Sequence, residues 1–188
     1  MNYYKDSHFP EIDLSDPTAV VGHVVRYIDE HKQLFLATVD DFKRPWIVSL
    51  NWRHDENFNF YWKSKVSSLH SSYLRHNPES AICLSSETPE YGEFGLYCTG
   101  QARELVSRKE IEQALLVRYS DGTSRTRVSD GDQVRANPIA DFMGDSPSRM
   151  YLFETDAMWL NENQHRKVEV DLDLLRRLST TSPNKPLS

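Results

Sequence analysis

Residues Leu34 to Trp62 read L-F-L-A-T-V-D-D-F-K-R-P-W-I-V-S-L-N-W-R-H-D-E-N-F-N-F-Y-W, and their hydrophobic period is two. Leu34–Val39 is a short apolar run of β-forming residues, Asp40–Lys43 a polar turn, and Pro45 permits a strand to start beyond it. Trp46, Val48, Leu50 and Trp52 alternate with Ile47, Ser49, Asn51 and Arg53. After a turn at His54–Asn57, Phe58, Phe60 and Trp62 alternate with Asn59, Tyr61 and Lys63. The pattern predicts a three-stranded antiparallel meander.

Upstream the period changes. Asp16 is placed to cap a helix that Pro17 opens, and Val20, Val21, Val24, Val25 and Ile28 form one apolar face, so a helix is expected from Pro17 to about His31 or Lys32. Residues 1–16 read as a loose polar arm. Downstream, Leu69, Tyr73 and Leu74 predict a short helix ending at Asn77-Pro78. Strands are expected at Ala81–Ser85 and Phe94–Val106, the second bent at Gly100, with Thr88–Glu93 as a turn-rich connection. Ile111, Leu115 and Leu116 mark a helix over Lys109–Arg118. Two strands, Met150–Thr155 and Ala157–Asn161, a third at Lys167–Val170 and a helix at Leu172–Leu178 complete one domain over 17–178, with a disordered tail at 179–188. The segment 120–148 reads as an irregular, charged insertion, its arginines a solvated face or a lid. The expected class is mainly β with peripheral helices, the sheet closed or sandwiched.

Composition bounds the function. The chain has 188 residues, a formal net charge of −6 and 38% hydrophobic residues, which fits one globular domain and disfavours a general nucleic-acid or anionic-membrane binder. No apolar run approaches the roughly 18 residues of a membrane span, and the N-terminus lacks a signal core, so a cytoplasmic protein is expected. The two cysteines, Cys83 and Cys98, fall inside apparent strands and read as small buried hydrophobes. His70 and His76 are six apart, which is not a helical ligand spacing, and no metal is expected. No G-x-G-x-x-G follows a strand, and no G-x-S-x-G elbow is present.

The chemistry concentrates between Asn59 and Pro78, N-F-Y-W-K-S-K-V-S-S-L-H-S-S-Y-L-R-H-N-P. A strand ending in aromatics runs into Lys63, Ser64, Lys65, Ser67, Ser68, His70 and Ser71, where a helix is expected to start. Hydroxyls and cationic donors gathered there suit a phosphate, although Ser- and Lys-rich loops are commonly only solvated.

Four segments resemble, in order and spacing, those of the pyridoxamine-phosphate-oxidase-like family: R-P-W-I-V-S-L-N-W (Arg44–Trp52), the stretch Tyr61–Pro78, G-L-Y-C-T-G-Q-A-R-E-L through its following helix (Gly95–Leu116), and G-D-S-P-S-R-M-Y-L-F-E-T-D-A-M-W-L-N (Gly144–Asn161). The resemblance covers roughly residues 17–172. It implies a six-stranded antiparallel split β-barrel that forms a homodimer, with FMN in a groove between protomers and a flavin-dependent oxidoreductase acting on a small molecule. Val48, Ser49, Leu50 and Asn51 would face the isoalloxazine ring, Trp62, Lys63 and Ser64 would line the ribityl chain, and Lys65, Ser68, His70 and Ser71 would hold the phosphate. No catalytic residue is implied. This chain departs from the true oxidases at Trp46 and Asn51, where those carry basic residues, at Tyr73, and around Gln164-His165-Arg166, which lacks their substrate-phosphate signature. Vitamin-B6 oxidation is therefore not expected. The wider superfamily also includes deazaflavin, haem and cofactor-free proteins, so a non-catalytic flavin- or haem-binding storage or sensor protein, or a deazaflavin-dependent reductase, is the second expectation.

Overall fold

The computed structural model describes residues 12–30, 33–85, 95–119, 139–161 and 167–180. Helix α1 (Pro17–Glu30) is capped as its sequence demands, Asp16 Oδ1 accepting the Thr18 N–H at 2.9 Å. Its apolar face buries Val20, Val21, Val24, Tyr27 and Ile28. Leu14 and Ile12, within the expected arm, pack against the same core.

Strands β1 (Gln33–Val39) and β2 (Pro45–Asn51) form a hairpin. A two-residue strand β3 (Arg53–His54) pairs with β4 (Phe60–Lys65), helix α2 (Leu69–Leu74) follows, and β5 (Glu79–Ser85) and β6 (Gly95–Glu104) form another antiparallel pair. Helix α3 (Arg108–Tyr119), a 3-10 turn (Ala140–Phe142), the long strand β7 (Ser148–Asn161), β8 (Lys167–Glu169) and α4 (Leu172–Thr180) complete the order. All pairings are antiparallel, in the order β2-β1-β5-β6-β7-β4-β3, with β8 beside the end of β7. The sheet, of six long strands and two short ones, curls into a half-closed barrel with the helices outside it. No described helix is long and apolar enough to cross a membrane.

Two expectations are corrected. The meander of three sequential strands does not form: β1 and β2 pair, but β4 lies at the far side of the sheet against β7, in the register Trp62↔Tyr151 and Ser64↔Arg149. Phe58 is not in the strand. It takes a left-handed conformation (φ 57°) in the turn that Asp55 organises by accepting the N–H groups of Asn57 and Asn59. The strands expected at 150–155 and 157–161 are one. Asp156 is an extra residue opposite the Thr99/Gly100 step, which makes a bulge instead of a break. Gly100 is obligatory there, because a Cβ would sit 2.0 Å from the Glu154 carbonyl oxygen.

Alternation sorts β4 and β7 onto two faces. Phe60, Trp62, Tyr151 and Phe153 point into the barrel core with Leu34, Leu36, Ile82 and Leu96. Tyr61, Met150 and Leu152 point outward beneath α3 and the 3-10 turn, joining Ile111, Ala114, Leu115 and Phe142 in a second cluster. The expected insertion 120–148 lies outside the described residues as far as 138. Its remainder carries that turn, whose Phe142 is buried. The Thr88–Glu93 connection and the tail beyond Thr180 also lie outside the described residues.

Candidate functional site

Where β4 ends, the chain turns through Lys65–Ser68 into α2, and this turn gathers most of the expected phosphate side chains. The Ser68 hydroxyl donates to the Lys65 carbonyl at 2.9 Å. The Ser68 and Ser71 hydroxyl oxygens are 2.7 Å apart, and His70 Nε2 lies 2.8 Å from Ser64 Oγ and 3.2 Å from Ser68 Oγ. His70, Ser71 and Leu74 are the buried face of α2, turned toward the sheet. Burial holds the His70 pKa below the usual imidazole value.

The cluster has a second side that the sequence did not single out. Tyr151 hydrogen-bonds Ser71 and donates its hydroxyl to Glu104 at 3.2 Å. Glu104 in turn pairs with Arg149 at 3.0 Å and Arg75 at 3.8 Å. Burial, and less so Glu104, push the Tyr151 pKa up to about 12. Arg149 also donates to the carbonyls of Ser146 and Gly144 and so ties the turn before β7 to the cluster. These residues come together by register, since Glu104, Tyr151 and Trp62 lie side by side across β6, β7 and β4. Their segments, Q-A-R-E-L and S-R-M-Y-L-F, both lie within the family-like stretches.

The other expected residues divide. The Trp62 side chain is fully buried and stacks on Tyr151, so toward a ligand it offers only its backbone. Lys63 and Lys65 are exposed on the face of β4 that Tyr61 shares, opposite Ser64, and Lys65 sits at the strand's end beside the cluster. Val48, Ser49, Leu50 and Asn51 lie on β2, at the free edge of the sheet. Leu50 faces the core, Val48 is half-buried, and Ser49 and Asn51 are exposed. Trp46 and Ile47 on the same strand are 43% and 63% exposed, which is unusual for large apolar residues on neighbouring positions. Among the described residues β2 has a strand neighbour on one side only, and on its other side Arg118 donates to the Asn51 carbonyl at 3.5 Å, beside apolar surface.

Among the described residues, no group of three or more His, Cys, Asp or Glu side chains is arranged to hold a metal ion. A cleft of about 120 Å³ lies between the β1–β2 turn and the outer face of α2, lined by Asp40, Asp41, Phe42, Ser72, Tyr73 and His76. Its Asp40 is engaged with Arg44 at 2.6 Å, and none of the expected cofactor residues lines it.

No family model and no curated protein matches the sequence. Solved structures do match. A protein from Clostridium acetobutylicum related to general stress protein 26 of Bacillus subtilis, of the pyridoxinephosphate oxidase family, is 14% identical with a TM-score of 0.59, covering 85% of this chain and 99% of that one. General stress protein 26 from Bacillus anthracis is 12% identical with a TM-score of 0.51, over 80% and 98% of the two chains. A heme binding protein from Mycobacterium smegmatis is 14% identical with a TM-score of 0.59, over 84% of this chain and 60% of that one. At such identities the likeness speaks for architecture, and together with the strand order it establishes that this chain has the split-barrel fold of pyridoxamine-phosphate-oxidase-like proteins.

Proposed function

We propose that this protein binds FMN and acts as a flavin-dependent oxidoreductase on a small molecule. The observation that carries the reading is the gathering of Ser64, Ser68, His70 and Ser71 at the end of β4, where Lys65 is exposed at the same strand end. Four side chains able to donate, converging on one spot, suit the oxygens of a phosphate monoester. The exposed edge of β2 supports the second half of the reading. The backbone groups of Val48–Asn51 that do not face β1 suit the donor–acceptor edge of an isoalloxazine ring, and apolar neighbours suit its faces. When bound, the flavin supplies hydride or single-electron transfer. The chain's own part is to hold the phosphate, orient the ring and exclude water from it.

A second copy of the chain completes the groove in this proposal. Trp46 and Ile47 leave apolar surface uncovered beside the free edge of β2, and a homodimer would bury it. The fold is shared with a heme binding protein, so a haem carrier is the competing reading.

Absorbance of the purified protein separates the cofactors: flavin bands support the proposal, a Soret band replaces it with haem, and a colourless protein that takes up neither refutes both. Titration with FMN and riboflavin then tests the phosphate site. Loss of several charge-assisted bonds, with a net cost of about 3 kcal/mol, makes riboflavin bind about a hundredfold more weakly. Equal affinities would remove the cluster from the account. Turnover of a reduced nicotinamide with an electron acceptor distinguishes an enzyme from a carrier.

A further inference from the structure

The cluster that gathers around α2 is short of charge. A dianionic phosphate is held best by a cation, yet the side chain nearest its centre, His70, is only 5% exposed and bonds to neutral hydroxyls alone. From the β1–β2 turn, against the outer face of α2, come Asp40 and Asp41, with Asp40 paired to Arg44 at 2.6 Å. From β4 come Lys63 and Lys65, both exposed. From α2 and the turn after it come Tyr73, Arg75 and His76, of which Arg75 reaches Glu104 and the Val66 carbonyl and His76 donates toward the Ser72 carbonyl. From β7 come Arg149 and Tyr151, and from β6 Glu104, which both arginines already neutralise. Among the described residues, no carboxylate pairs with His70. Burial thus favours its neutral form, with nothing opposing.

We propose that this cluster takes up one proton with its anion, His70 being neutral in the free protein and an imidazolium when a phosphate monoester is bound. The proposal rests on the FMN reading above and deepens it. The hydrogen bonds show how the change is accommodated. A neutral His70 with its hydrogen on Nδ1 accepts the Ser64 hydroxyl at Nε2, 2.8 Å away. Once protonated, Nε2 donates instead, with the Ser64 and Ser68 oxygens both within reach. The Ser64 hydrogen is then released to point at a phosphate oxygen. Protonation therefore supplies a charge and frees a donor in one step, and no backbone movement is needed. The sign follows from linkage: a site that binds a proton together with its ligand loses affinity as pH rises, by up to about tenfold per pH unit between the free-state and the bound-state pKa.

The test is calorimetric titration of FMN into the full-length protein at about pH 7.5, where the phosphate is already mostly dianionic, in two non-phosphate buffers of different ionisation enthalpy. Expected are an uptake approaching one proton per FMN, no uptake with riboflavin, and weakening of FMN binding as pH rises toward 9. His70→Gln, which cannot take up a proton, is expected to bind FMN more weakly and with neither the uptake nor the pH dependence. FMN binding without proton uptake, or equal uptake by His70→Gln, overturns this proposal and leaves the FMN reading standing. Failure of FMN to bind anywhere between about pH 6 and pH 8 overturns both.

Discussion

Trp62 and Tyr151 face each other across β4 and β7 with ring centroids 5.6 Å apart and planes 11° from parallel. Both are buried, and the Tyr151 hydroxyl carries the contact on to Ser71 and Glu104. One side chain therefore packs the barrel interior and fastens α2 to the sheet. Tyr151→Phe keeps the ring and removes only the hydroxyl, with an expected loss of about 1 kcal/mol. Tyr151→Ala opens a cavity beside Trp62 and is expected to cost about 3–5 kcal/mol. Urea denaturation of both variants gives the two values. No loss in the Phe variant would mean the hydroxyl chain contributes nothing to holding α2.

The bulge in β7 depends on a side chain missing from β6. Gly100→Ala places a methyl group 2.0 Å from a backbone oxygen of β7, where no rotamer change relieves the overlap. The expected loss is about 2–4 kcal/mol, at the upper end of ordinary single substitutions. A melting temperature within a degree or so of wild type would show that the two strands separate at low cost.

Asp40 makes the β1–β2 turn sensitive to acid. Burial alone would raise its pKa, but the Arg44 N–H and guanidinium and the Phe42 N–H outweigh that and hold it below the usual carboxylate range. A carboxyl whose pKa is lower folded than unfolded stabilises the fold above the unfolded value, about 3.9, and the contribution is lost as pH falls through the folded value. Wild type is therefore expected to lose stability more steeply than Asp40→Asn as the medium is acidified below about pH 4. Melting curves across the acid range measure this, and parallel profiles would contradict it.

If the free edge of β2 meets a second copy, a charge placed on it is disruptive. Ile47 is 63% exposed, so Ile47→Asp costs the isolated protomer little. Sedimentation is expected to show a dimer for the wild type and a 21.9 kDa monomer for the variant. A wild-type monomer at micromolar concentration would refute the shared groove.

Much of this fold is written locally. The valines of α1 and the Asp16 cap, the alternation along β1 and β2, and the serine-rich turn after β4 each announce themselves within a few residues. What local pattern does not carry is which strand pairs with which. Sequential strands are usually neighbours, so β1, β2 and β4 read as a meander. In the structure β4 pairs with a strand formed far along the chain, because its two apolar faces need both the barrel core and the α3 layer. The site divides the same way. Ser64, Ser68, His70 and Ser71 were visible as a cluster in sequence, whereas Tyr151, Arg149 and Glu104 reach it only through register. Asp156 looked like a break between strands because a bulge residue and a turn residue have the same polarity.

The pairing of β4 with β7 also sets the order of events on the ribosome. Position 63 finds its partner at position 150, so on the order of ten seconds of synthesis separates the two. Until then the nascent chain carries Phe60, Tyr61 and Trp62 with neither face covered, and the barrel cannot close. A transcript truncated before β7 encodes the four neighbouring strands β2-β1-β5-β6 but leaves β4 without the strand it pairs with. The dwell of that exposed segment makes it the stretch a chaperone is expected to hold.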